Sequence, residues 1–135
     1  MRHLFAFMFA LLAVTPALAD SYPAGSYARS PELCQKAASE GVEAVAGEGE
    51  LFLTERGLEG LESNCQFLRV DGRDNLPGWV ATALCEEPGF AFPDLFSLMP
   101  RGENVLEVTS LRDGGTESEG GIGGLYHLCD GVNIR

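Results

Sequence analysis

Leu61-Glu62-Ser63-Asn64-Cys65-Gln66-Phe67-Leu68-Arg69-Val70 and Trp79-Val80-Ala81-Thr82-Ala83-Leu84-Cys85 flank the segment Asp71-Gly72-Arg73-Asp74-Asn75-Leu76-Pro77-Gly78. The outer runs alternate apolar and polar residues, and the segment between them is dense in residues that supply turn backbone angles, so the stretch predicts a β-hairpin with a long connection. Leu61, Cys65 and Phe67 share one face of the first strand; Trp79, Ala81, Ala83 and Cys85 share one face of the second. Each strand carries one cysteine, and the second holds the only tryptophan of the chain.

Working outward, the N-terminus reads as an export signal. Met1-Arg2-His3 is cationic, Leu4 to Val14 is apolar, and Ala17-Leu18-Ala19 supplies the small-x-small pattern of a cleavage site. The expected division is a signal peptide over 1–19 and one disulfide-stabilised β-rich domain over 20–135, periplasmic or secreted. The apolar run is shorter than the ~20 residues a spanning helix needs, and no later segment replaces it, so no membrane insertion of the mature chain is expected.

An oxidising compartment makes an even set of cysteines a disulfide framework. The four are Cys34, Cys65, Cys85 and Cys129. Three pairings are open: Cys65 with Cys85 suits the hairpin and leaves Cys34 for Cys129, while Cys34–Cys65 with Cys85–Cys129 is nearly as compatible with the spacing.

Ser30-Pro31-Glu32 is a helix start, with a hydroxyl cap, proline at the first position and an acid where the helix dipole favours one. Gly41 is a suitable stop. Leu51–Thr54, Phe90–Met99, Val105–Leu111 and Ile122–Cys129 read as further strands, and Pro93 marks its strand as an edge or a bulge. The segment from Asp113 to Gly124 contains six glycines and reads as a loop. The fold class is therefore mainly β: a small antiparallel meander or open barrel of about five to six strands with one short N-terminal helix.

The formal charge is −11, and loss of Arg2 with the leader makes the exported chain more acidic. Such a field serves solubility first; it also repels nucleic acid and attracts cations, so if it serves recognition as well, the partner class is a basic protein. Seven glutamates fall between Glu40 and Glu62, but without the Asp/Asn/Gly spacing of a calcium loop. Arg73 breaks the same pattern in Asp71–Asn75. His127 is the only histidine after the leader, no serine sits in a G-x-S-x-G turn, and the Gly-rich segment lacks phosphate-loop residues. No catalytic, cofactor-binding or metal-ligating set is assigned. Phe90, Phe92 and Phe96 lie in phase and read first as core; if exposed, they form the contact patch.

In size, acidity and disulfide-tied strands the chain is similar to bacterial periplasmic inhibitors of lysozyme, whose target is strongly basic. The resemblance is architectural and implies a basic protein partner. Those inhibitors insert a Ser-Gly-x-x-Tyr type loop into lysozyme, from which Gly124-Leu125-Tyr126 departs. The leading expectation is an exported binding or inhibitor-like module. An accessory component of a cell-envelope complex and a hydrolase using two carboxylates about 5 to 9.5 Å apart are the alternatives.

Overall fold

The computed structural model describes residues 24–113 and 121–132. The expected signal peptide over 1–19, residues 20–23, residues 114–120 of the Gly-rich segment and residues 133–135 lie outside that range. Eight strands form a closed barrel in which each pairs antiparallel with the next and β1 returns to β8. They are β1 (Tyr27–Ala28), β2 (Phe52–Thr54), β3 (Gly57–Glu59), β4 (Asn64–Arg73), β5 (Leu76–Glu87), β6 (Phe90–Pro100), β7 (Val105–Ser110) and β8 (Gly124–Leu128). Two helices, α1 (Pro31–Glu40) and α2 (Val42–Ala46), fall between β1 and β2.

The expectation of five to six strands in a meander or open barrel is corrected to eight in a closed one, and that of one helix to two. The unforeseen strands, β1 and β3, are two and three residues long. Neither is long enough to display an alternation. Burial on both faces removes the pattern further: Tyr27 and Leu53 pack in the barrel core, while Ala28 and Phe52 join Ala37, Val45 and Cys129 in a second cluster under the helices. A strand covered on both faces reads as a plain apolar run.

The helix signals at Ser30 and Gly41 act as their chemistry dictates. Ser30 Oγ accepts from Leu33 N at 3.3 Å, and Gly41 ends α1 at φ 94° with its N–H bonded to Ala37 O. After this break the chain turns once more as α2, which brings Val45 into the second cluster. Helices this short are marginal alone, so their stability comes from that packing and from the Cys34–Cys129 bridge.

The main core depends on residue size along β5. Ala81 lies opposite Phe96 and Ala83 opposite Phe67, so two small side chains leave room for two rings whose centroids are 5.8 Å apart. Tyr126, Leu53, Leu58 and Leu98 complete the interior. Tyr126 is fully buried, and its hydroxyl donates to Ile122 O at 2.9 Å. Burial pushes its phenol pKa up.

The central connection is also tighter than its composition suggests. β4 continues through Arg73 and β5 begins at Leu76, leaving Asp74-Asn75 as a two-residue turn. The register shift at Gly72/Arg73 takes up Pro77 and Gly78 as a bulge in β5, and a second shift at Phe67/Arg69 makes Leu68 a bulge in β4. Pro93 is tolerated because it meets a local edge. Leu95 O accepts from Leu111 N on the β7 side, so the nitrogen of Pro93, two residues earlier, points the same way, past the last residue of β7.

The bridges are Cys65–Cys85, joining directly opposed residues of β4 and β5, and Cys34–Cys129, tying α1 to the end of β8. Loop closure scales with the logarithm of length, so the bridge spanning 95 residues restrains the unfolded chain more than the one spanning 20. Replacing Cys34 and Cys129 by serine is expected to cost about 5 kcal/mol, and replacing Cys65 and Cys85 about 3 kcal/mol. Urea unfolding of the two double variants checks that order.

Candidate functional site

β4, β5 and β6 are ten, twelve and eleven residues long, whereas β3 covers β4 only from Asn64 to Gln66, with one further bond to Phe67. The tip of the β4–β5 hairpin therefore extends beyond its β3 neighbour. Beside it lies an open groove of ≈ 640 Å³, lined by Asp71, Arg73, Leu76, Pro77, Trp79, Val80, Ser97 and Met99. Leu76 and Val80 are exposed large apolar side chains.

Two glycines shape this groove. A Cβ at Gly78, whose φ is 118°, would stand 2.4 Å from Met99 Sδ, and one at Gly72 would stand 2.7 Å from Trp79 Cδ1. Their missing side chains let the thioether and the indole lie against the hairpin backbone. Reading Asp71–Gly78 as a turn hid the groove. The signal that marks it in the sequence is Leu76-Pro77, one glycine before Trp79, apolar residues that a solvated turn does not require.

The phenylalanine phase divides at the barrel wall. Phe96 is 0% exposed in the core, Phe92 is half-buried and Phe90 is 50% exposed. Phe96 is therefore removed from the contact patch. The Arg112 guanidinium lies over Phe92 at 3.6 Å and within 5.7 Å of Phe90, so the two outer rings already share a cation within the chain.

Among the described residues Asp94 is the one buried carboxylate. It accepts from Ser110 Oγ at 2.6 Å, Leu95 N at 2.7 Å and Arg112 N at 3.2 Å, and Ser110 Oγ in turn accepts from Asp113 N. The carboxylate thus organises the chain as it leaves β7. No group of three or more His, Cys, Asp or Glu among the described residues is arranged to hold a metal ion. His127 is half-buried on β8. Tyr126 of the Gly124-Leu125-Tyr126 stretch points into the core, so it has no means of entering a partner's cleft from this conformation.

Surface charge is asymmetric after internal pairing. Lys36 pairs with Glu48, Arg56 with Glu59, Arg69 with Asp71 and Arg101 with Glu107. Arg29 lies over Tyr126 and donates to Gly121 O, and Arg112 is held over Phe92. Arg73 is the remaining cation among the described residues, and it borders the groove. Carboxylates including Glu43, Glu55, Glu62, Asp74, Glu86 and Glu103 stay exposed. A second open depression of ≈ 580 Å³ beside the β2–β3 turn is lined by Glu55, Arg56, Glu59, Asn64 and Gln66, a more polar set.

No protein-family model, curated protein or solved structure matches the chain. No helix among the described residues is long and apolar enough to cross a membrane, and the two disulfides are compatible with an extracellular location.

The unequal placement of the rings makes a direct mutational test. Phe96→Ala opens a core cavity and is expected to cost about 3–5 kcal/mol. Phe90→Ala loses half-exposed area and a cation contact, and is expected to cost about 1 kcal/mol or less. Denaturant midpoints of the two variants measure the difference.

Proposed function

We propose that this chain is an exported protein-binding module whose partner is a basic protein, bound with the hairpin groove as apolar anchor and the surrounding carboxylates as electrostatic guide. The observation that carries the reading is the internal use of cations: the basic side chains are largely engaged within the chain, while many carboxylates face solvent. A residual field of one sign speeds encounter with an oppositely charged surface and disfavours other anions. Charge alone gives little specificity. Trp79, Leu76, Val80 and Met99 supply the apolar contact that a lasting complex needs.

The periplasmic lysozyme inhibitors remain the architectural parallel for an acidic module against a basic target. Because Tyr126 is buried, an inhibitory contact here runs through the hairpin groove rather than through a tyrosine loop.

Retention of strongly basic proteins, lysozyme included, on the immobilised oxidised chain at low ionic strength tests the reading, with residual lysozyme activity as a second readout. A specific partner is expected to remain bound at about 0.15 M salt and to shift the emission of Trp79, the only tryptophan. The double variant Leu76→Ser/Val80→Ser is expected to bind at least about tenfold more weakly, roughly 1.4 kcal/mol. No retained basic protein at low salt, or a partner indifferent to the double variant, contradicts the proposal.

A further inference from the structure

The outer side of β4 is a strand edge. β3 reaches it only as far as Gln66, with the bond from Phe67 N to Arg56 O beyond, so Leu68 to Arg73 has no strand beside it among the described residues. Which groups this edge presents follows from the neighbouring ladder. Leu95 O accepts from Leu111 N, which turns the Leu95 main chain away from β5. Its opposite residue, Thr82, therefore turns its own N–H and C=O toward β4. Arg69 lies opposite Thr82 and Asp71 opposite Val80, so these β4 residues bond to β5. The main-chain groups of Val70 and Gly72 consequently point outward, and Leu68, Arg69, Asp71, Gly72 and Arg73 are exposed.

A bare edge is a template for another strand, and proteins guard it with bulges and charges. Both guards are present, but the charges have mixed signs and a particular order: Arg69, Asp71, Arg73. We propose that the partner of this edge is a second copy of the chain, joined antiparallel about a two-fold axis with Val70 opposite Val70. In that register the Arg69–Asp71 ion pair within each copy meets the same pair running the other way, so Arg69 also faces Asp71 of the second copy and Asp71 its Arg69, while the outward groups of Val70 complete a pair of hydrogen bonds across the axis. Slipping two residues one way sets Arg69 against Arg69. Slipping two residues the other way sets Asp71 against Asp71 and Arg69 against Arg73. Both neighbouring registers in the same hydrogen-bonding phase therefore oppose like charges. The next slip, Gly72 opposite Gly72, also sets Asp71 against Arg73, but it centres on the bulge at Gly72/Arg73 where β4 ends, so the edge favours the Val70 alignment. The result is a single sheet running through both hairpins. This pairing uses the main-chain edge of β4, whereas the basic-partner reading uses the apolar groove that Asp71 and Arg73 border; Val70→Pro lies outside the groove lining and Leu76→Ser/Val80→Ser outside the edge, so the two readings fail separately.

Sedimentation equilibrium of the oxidised protein, produced with its own leader and recovered by export, tests the proposal from about 1 μM to about 1 mM, the span of weak association. The expected result is a monomer–dimer equilibrium. Val70→Pro removes an outward N–H with no strand beside it among the described residues, and it is expected to weaken the dimer at least tenfold. Arg69→Asp and Asp71→Arg are each expected to do the same by opposing like charges, and the combined exchange Arg69→Asp/Asp71→Arg is expected to restore association. Because these charged positions are exposed, the exchange variants test the register without disturbing the core. A monomer at every concentration overturns the proposal. So does a dimer unchanged by Val70→Pro, or a combined exchange as weak as the single ones.

Discussion

Three strands of two or three residues must close a barrel whose central strands, β4 to β6, run to ten to twelve and whose last two have six and five. That inequality is the constraint from which the remaining architecture follows. Where the short strands meet the long ones, the sheet is complete, the core is enclosed and Cys65–Cys85 fixes the register of the central hairpin. Beyond that level β4 has a bare side. The hairpin tip holds an apolar groove because, among the described residues, no further strand covers it. The helices compensate on the short side, covering Ala28 and Phe52, and the second bridge holds them there.

Packing and surface charge meet in the same hairpin. Ala81 and Ala83 admit the rings of Phe96 and Phe67 to the interior, which leaves the next positions of β5, Val80 and Leu84, facing solvent. Among the described residues the barrel interior is filled by its own side chains, so the proposed recognition uses the outer surface. That surface carries excess carboxylate because most cations are engaged close to home, by acids or by aromatic faces. In the proposed complex, neutral contacts in the groove and long-range attraction from the carboxylates would act on the partner at different distances.

The parts legible in the sequence are those governed by strong local rules. Ser30-Pro31-Glu32 and Gly41 marked the limits of α1 because capping chemistry belongs to a few adjacent residues. The alternation around Cys65 and Cys85 gave the central hairpin and favoured its cross-strand bridge, although spacing alone left another pairing open. Tyr27–Ala28 and Gly57–Glu59 escaped because strands so short exist only by virtue of neighbours distant in sequence. The groove escaped for a related reason: Gly72, Pro77 and Gly78 favour turns in isolation, and only the bulged pairing with β5 and the approach of Met99 and Trp79 give them another role. Phe90, Phe92 and Phe96 share a periodic phase, but period cannot register where a strand leaves the covered part of the barrel.

Closure by the short strands is the central claim, and amide hydrogen exchange followed by NMR addresses it directly. β2 and β3 each have a partner strand on both sides, so Leu53 and Leu58 are predicted to exchange as slowly as Ala81 and Ala83 of β5. Exchange at Leu53 and Leu58 as fast as in exposed turns, with β4 to β6 still protected, would show an open sheet instead and contradict the account.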